Sequence, residues 1–171
     1  MRVVAGVARG RRLEVPPGST TRPTADRVRE ATFNALGSLG VVEGATVLDL
    51  FAGSGALGIE ALSRGAVSAT FVDQDARALD VVRRNLEATG LSAAAQVVRS
   101  DAARYAGGRF DLALLDPPYA FDDDAWTRLL TDLDADVAVL ESDREVPVTE
   151  PWRLLRAKRY GGTVVTIVRR T

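Results

Sequence analysis

Over residues 47–139 the chain alternates short runs of consecutive apolar residues with longer stretches in which apolar positions recur every three or four residues. Runs that are apolar throughout mark strands buried on both faces, and helical stretches between them mark crossovers. The pattern therefore predicts an α/β fold with a mainly parallel, twisted sheet covered by helices. The predicted strands are 46–51, 69–73, 95–99, 110–116 and 137–141, several ending in a carboxylate. Helical spacing runs over 56–64, 75–88 and 123–133, with Leu79, Val82 and Leu86 on one face of the second. Right-handed crossovers place all the strand C-termini, and with them the acids, along one edge.

Two segments flank this core, and both are basic. Val3-Val4-Ala5-Gly6 and Leu13-Glu14-Val15, on either side of Arg9-Gly10-Arg11-Arg12, predict a β-hairpin with arginines at its tip, followed by a turn at Pro16-Pro17-Gly18. Thr24 reads as the N-cap of an amphipathic helix over 25–36, with Val28, Ala31, Thr32 and Ala35 among its apolar positions. At the other end, 154–160 and 163–168 around Gly161-Gly162 predict a closing antiparallel hairpin. The expected organisation is a basic β-hairpin extension over 1–20 and a single compact domain over 21–171.

Composition narrows the chemistry. The 171 residues include no Cys and no His, which excludes a cysteine nucleophile, a Ser-His-Asp hydrolase and a zinc site built on His and Cys. Catalysis must come from carboxylates, backbone and cofactor. No apolar run approaches the roughly 18 residues of a membrane span, and the first six residues do not read as a signal peptide, so the expected address is the cytoplasm. The net charge of -1 conceals an asymmetry: residues 1–30 hold seven Arg against three acids, and residues 151–171 hold five Arg and one Lys with no acid. Basic ends on an acidic body form a nucleic-acid footprint if they meet on one face.

Two motifs carry chemistry. In Asp49-Leu50-Phe51-Ala52-Gly53-Ser54-Gly55-Ala56-Leu57-Gly58 a predicted strand enters a glycine-rich turn and then a helix, where backbone can approach a ligand closely. Gly53, Gly55 and Gly58 satisfy the G-x-G-x-x-G spacing, and Asp73, fifteen residues further on, ends the second strand where a carboxylate can take both hydroxyls of a ribose. Any adenosine-containing cofactor fits so far, nicotinamide and flavin included. The second motif is Asp116-Pro117-Pro118-Tyr119, at the end of the fourth strand. Two prolines stiffen the turn and remove two donors, leaving a carboxylate, free carbonyls and an aromatic ring. Those groups suit a planar substrate with an exocyclic amine, such as a nucleobase splayed out of its helix. Asp122-Asp123-Asp124 could be read as a magnesium site, but a solvated helix N-terminus is the better reading.

At these residues the chain resembles a known family. Asp49 to Gly58 and Asp116 to Tyr119 look like the two motifs of Rossmann-like S-adenosylmethionine-dependent N-methyltransferases. Arg2-Val3-Val4-Ala5-Gly6, Arg9-Gly10-Arg11-Arg12-Leu13, the stretch 22–30 and Phe33-Asn34 resemble the N-terminal signature of the RsmD family, which methylates N2 of guanine 966 in bacterial 16S ribosomal RNA. The resemblance implies S-adenosylmethionine as cofactor, no metal, and 16S RNA in an assembled or partly assembled small subunit as partner of a monomeric enzyme. It implies cofactor contacts from Thr24, Asp49, Phe51, Gly53, Gly55, Asp73 and Asp101, the last at the adenine amine. Asp116 and the Pro117 carbonyl would grip the guanine amine beside Pro118, with Tyr119 stacking on the ring. Arg9, Arg11, Arg12 and Arg22 would hold RNA phosphate. Asp73 stands where relatives often have Glu, and Arg replaces most Lys. Asp116 alone does not separate guanine from adenine, so an adenine-N6 methyltransferase acting on DNA or RNA shares both motifs. A dinucleotide-dependent oxidoreductase would leave Asp116 to Tyr119 without a role, and a non-catalytic RNA-binding module would leave the acids without one.

Overall fold

A computed structural model describes residues 1–19, 23–118 and 120–171, with the side chains of all of these but Pro23 and Thr24. Its elements in chain order are α1 (Pro23–Ser38), β1 (Thr46–Leu50), α2 (Ala56–Ser63), β2 (Ser68–Asp73), α3 (Ala76–Thr89), β3 (Ala95–Arg99), β4 (Phe110–Leu115), α4 (Asp123–Asp132), β5 (Ala135–Ser142), β6 (Trp152–Tyr160) and β7 (Thr163–Arg170). They form a seven-stranded sheet in the order β3-β2-β1-β4-β5-β7-β6. The first five strands are parallel, and β6 and β7 close the sheet as an antiparallel hairpin. The mainly parallel α/β sheet and its C-terminal hairpin are as the apolar pattern predicts.

Strand periodicity divides the core in two. Val47, Phe71, Leu112, Leu114, Val137, Val139 and Ile167 pack on one face with Val28, Phe33 and Leu36 of α1, Ile59 of α2, and Val82 and Leu86 of α3. Leu48, Leu50, Val72, Ala113, Leu115, Leu140 and Val168 pack on the other with Trp126, Leu129 and Leu130 of α4. Each buried Val, Leu, Ile or Phe among them contributes about 1.5–3 kcal/mol. A one-residue slip of any strand would exchange the two faces, so the register is strongly specified. The chain leaves β1 toward β2 and β3, then crosses back to β4 and β5. The topological switch point therefore lies between β1 and β4, where open α/β sheets bind ligands.

The N-terminal segment forms the expected hairpin in shortened form. Its arms pair antiparallel through one bridge, between Arg2 and Arg12, with Leu13 N–H donating to the Met1 carbonyl at 2.9 Å and Val3 N–H to the Arg11 carbonyl at 3.0 Å, and the residues between them run mostly through turns. Arg11 and Arg12 lie on the returning arm rather than at the tip. The tip is turn-rich because of burial: Val3, Ala8 and Leu13 insert into the same core as α1, α2 and α3, which ties the segment over 3–13 to that core. The peptide N–H groups of Val4 and Ala5 bond to the Glu60 carboxylate at 2.9 and 3.0 Å, and that of Ala8 to Ser63 Oγ at 2.9 Å, alongside the bonds between the two arms. Helix α1 begins at Pro23, a residue preorganised for a first helical turn, so Thr24 lies inside the helix and is not its N-cap.

Candidate active site

The glycine-rich loop is held open by backbone conformation and tied down by two carboxylates. Gly53 and Gly55 take φ of +57° and +80°, which a side chain would resist, and Gly55 leads into α2. Phe51, with φ 59°, is the one non-glycine residue in that region among the described residues, and its ring meets Phe121 edge-on at 5.5 Å. Asp73 accepts from Gly53 N–H at 3.0 Å through Oδ2 and from Asp75 N–H at 2.9 Å through Oδ1, leaving each oxygen a further lone pair. Gly58 fits where a Cβ would fall 2.4 Å from Phe71 Cε1, so the helix packs directly on the sheet. Its N–H donates to Asp49 Oδ2 at 2.9 Å.

Asp49 itself is 1% exposed and supports the loop from behind. Burial pushes its carboxyl well up; the Gly58 N–H works against this, while the charges of Asp116, Asp73 and Glu141 add to it. Its Oδ1 has no partner among the described residues, which leaves a buried acceptor to be met by a ligand cation or water.

The same strand periodicity gathers the acids. Asp49, Asp73, Asp116 and Glu141 each continue the series that faces α1–α3, and all four stand at the C-terminal edge of β1, β2, β4 and β5. Leu115 pairs with Leu140, so Asp116 and Glu141 are the next neighbours across adjacent parallel strands. A cleft of about 280 Å³ opens beside them, lined by Asp116, Pro117, Pro118, Phe121, Trp126 and Glu141 together with the 142–144 turn and Thr163. That volume is near the lower end for small-molecule sites, roughly 300–1,000 Å³. Asp116 is open to solvent on the cleft side while protein surrounds its carboxyl elsewhere, and this burial raises its pKa to about 6. Glu141 is pushed up by burial and further by Asp116, against the opposing charge of Arg29. Raised carboxyls converging in a cleft mark a candidate site.

The remaining predicted residues are more dispersed. Asp101, past β3, caps a short 3₁₀ turn through Ala103 N–H at 3.0 Å and is half open to solvent, with its other oxygen 3.6 Å from Arg104. Arg9, Arg11 and Arg12 are all exposed, and Arg11 also donates to the Ala88 carbonyl at the end of α3 at 3.1 Å. Arg22 and Tyr119 lie outside the described residues, as does the side chain of Thr24. Asp122 caps α4 through Ala125 N–H at 2.8 Å and Asp123 pairs with Arg144, as a helix N-terminus does. Among the described residues no group of three or more acidic side chains is arranged to hold a metal ion, and no helix is long and apolar enough to cross a membrane.

The family model described as conserved hypothetical protein 95 matches residues 1–169. Ribosomal RNA small subunit methyltransferase D of Escherichia coli is 36% identical over 188 residues, covering 99% of this chain and 90% of its own. This chain belongs to the RsmD family. A candidate rRNA methyltransferase of Bacillus subtilis is 41% identical over 186 residues, covering 99% of both chains. Among solved structures, a candidate methyltransferase of E. coli superposes with a TM-score of 0.85 at 39% identity, covering 99% of this chain and 97% of that one. The Thermus thermophilus 16S rRNA N2 G1207 methyltransferase RsmC, solved with AdoMet and guanosine, superposes with a TM-score of 0.67 at 26% identity; the match covers 92% of this chain and 45% of that one.

Within this RsmD-family chain, residues that motif reading passed over hold the site together. Asn85, 1% exposed, donates to the carbonyls of Glu14 and Ser54 at 3.0 and 2.8 Å and accepts from Glu14 N–H at 2.8 Å, joining the N-terminal segment to the glycine loop. Glu60, fully buried, pairs with Arg29 at 3.2 Å and Arg64 at 2.9 Å. A lone acid in the otherwise apolar run of α2 was the available signal, because such a group is buried only with partners.

Proposed function

We propose that this protein transfers a methyl group from S-adenosylmethionine to the exocyclic 2-amino group of a guanine in 16S ribosomal RNA, at position 966. RsmD-family membership over nearly the whole chain makes it an S-adenosylmethionine-dependent RNA methyltransferase. The observation that carries the finer reading is the cleft at the end of β4, where Asp116, Pro117 and Pro118 stand one strand away from the glycine loop.

The residues present fit the cofactor. Four carboxylates at one sheet edge favour a cationic ligand, the orphan Oδ1 of Asp49 offers an acceptor, and Gly53 and Gly55 let backbone approach closely. Asp73 would take the ribose hydroxyls and Asp101 the adenine amine, with Phe51 beside them and Thr24 near the cofactor's carboxylate. S-adenosylmethionine supplies an activated methyl with its own leaving group, so the reaction needs alignment rather than a metal. Asp116 and the Pro117 carbonyl would accept the two amine hydrogens, directing the nitrogen lone pair toward the methyl. As the new bond forms, positive charge grows on that nitrogen, and the Asp116 carboxylate stabilises it and can take the proton. Tyr119 would stack on the splayed base.

Recognition rests on charge and shape. The exposed edge strand β6 carries Arg153, Arg156, Lys158 and Arg159, and a groove shared by α1 and β6 includes Arg156 and Lys158, so the basic C-terminal end lies against the helix that follows the basic N-terminal segment. With Arg9, Arg11, Arg12 and Arg22 these groups would grip phosphates of a small subunit, assembled or partly assembled, in the cytoplasm, with the enzyme acting as a monomer. Arg9→Ala with Arg12→Ala is expected to lower the slope of log affinity against log salt by about 2. A slope equal to that of the parent protein removes both from the footprint.

Transfer of radiolabelled methyl to subunits lacking this modification, with naked 16S RNA and duplex DNA in parallel and nucleoside analysis afterwards, tests the function. Label in N2-methylguanosine from ribosomal material is the expected result. Label in methyladenosine or in DNA would keep the fold and overturn the substrate.

A further inference from the structure

Asp116 accepts amine hydrogens from guanine or adenine alike, so the choice of base needs a second reader. We propose that Glu141 selects guanine by accepting the hydrogen bond of its ring N1–H while Asp116 holds the adjacent 2-amino group. This inference rests on the guanine reading above.

Three observations place Glu141 there. The Leu115–Leu140 register makes Asp116 and Glu141 lateral neighbours on strands about 4.8 Å apart, and both continue the series facing α1–α3. Both residues line the same cleft. The Glu141 carboxyl accepts no hydrogen bond and makes no salt bridge among the described residues, although Arg144 in the turn that follows bonds both Ser142 and Asp143. A carboxyl left unpaired beside a second carboxyl costs stability, and such a cost is characteristic of groups kept for a ligand.

The chemistry then separates the bases. Guanine offers two adjacent donors, N1–H and the 2-amino group, to two adjacent acceptors. Ionised or neutral, the Glu141 carboxyl keeps an oxygen that accepts from N1–H. A base whose N1 is a bare lone pair, as in adenine, meets an ionised carboxylate with repulsion and leaves an acceptor unpaired; a protonated carboxyl would donate to that lone pair, so the selection belongs to the ionised form, which the guanine N1–H itself stabilises.

The test uses the full chain and small subunits in which the target guanine is retained or replaced by 2-aminopurine, which keeps the 2-amino group and lacks N1–H. The parent protein is expected to prefer guanine by at least about tenfold, the lower end of what one base-edge contact discriminates. Glu141→Ala should shrink that preference by about tenfold by slowing transfer to guanine alone. Glu141→Gln, whose amide both accepts from N1–H and donates to a bare N1, should shrink it by raising transfer to 2-aminopurine. Binding of S-adenosylhomocysteine confirms that each variant is folded. A merely structural role slows both substrates equally, so an unchanged ratio in the folded variants overturns the proposal, as does a parent protein that treats both bases alike. Failure of the parent protein to form N2-methylguanosine overturns the guanine reading and this proposal together.

Discussion

Replacing Asp116 with Ala is expected to slow single-turnover methyl transfer by about 10²- to 10³-fold, the usual cost of removing one preorganised group that meets charge developing in a transition state. The amine nitrogen gains positive charge as its bond to methyl forms, and Asp116 is the carboxylate at the cleft, with protein around its carboxyl on the sides away from the opening, so that interaction is stronger there than in bulk water. Affinity for S-adenosylhomocysteine should stay within a few-fold, because Asp116 follows β4 whereas the glycine loop and Asp73 belong to β1 and β2. Asp116→Asn keeps an acceptor oxygen without the charge, so its rate should fall between the two. The pH profile supplies an independent check. Burial raises the Asp116 carboxyl to about 6, so the ionised form is lost, and the rate with it, as pH falls through that value rather than near 4. In Asp116→Asn that decline should vanish. A variant that loses cofactor affinity by more than tenfold, or one that keeps both its rate and the decline, would remove Asp116 from the amine site.

The strands were legible because two simple rules act on the same residues. Runs such as Leu112-Ala113-Leu114-Leu115 are buried on both faces and read as parallel strands, and right-handed crossovers bring their C-terminal ends to one edge, where the structure sets β4 beside β1. The glycine loop was legible for a similar reason, since Gly53, Gly55 and Gly58 sit where strand meets helix and each answers a steric demand of that junction. The turn-rich tip of the N-terminal segment was not, because its partners are far away in sequence. Alternating arginines and apolar residues over 2–13 suit a hairpin, and the two arms do bond to each other, but the peptide N–H groups of Val4, Ala5 and Ala8 are satisfied by Glu60 and Ser63, more than fifty residues on. Asp49 was legible as a site residue but not in its role, since only the packing of Gly58 on Phe71 shows that the acid faces the loop from within. Glu141 ends a predicted strand in plain view; its significance emerges only when the register sets it beside Asp116.

Glu60→Ala is expected to cost about 3–5 kcal/mol of stability, the range for breaking a buried ion pair by removing one partner. Glu60 is fully buried and serves four donors at once: the guanidinium Nε atoms of Arg29 and Arg64 and the peptide N–H groups of Val4 and Ala5. Arg29 is 4% exposed, so loss of the carboxylate leaves its charge, among the described residues, with Asp26 at 3.2 Å and the Arg2 carbonyl as bonding partners. For a chain of this length the change corresponds to a fall in Tm of roughly 6–20 °C. It should be local before it is global. The amides of Val4 and Ala5 are expected to exchange hydrogen faster than those of β1 and β4, because the segment over 2–13 loses its main anchor to α2. Transfer activity should fall with that release even where the sheet remains folded, since Asn85 links the Glu14 backbone of this segment to Ser54 in the glycine loop. Pairing Glu60→Leu with Arg29→Met removes both charges, and this double variant should recover part of the stability lost in Glu60→Ala. A urea midpoint within error of the parent protein for Glu60→Ala would show that Arg29 and Arg64, rather than Glu60, hold the segment in place.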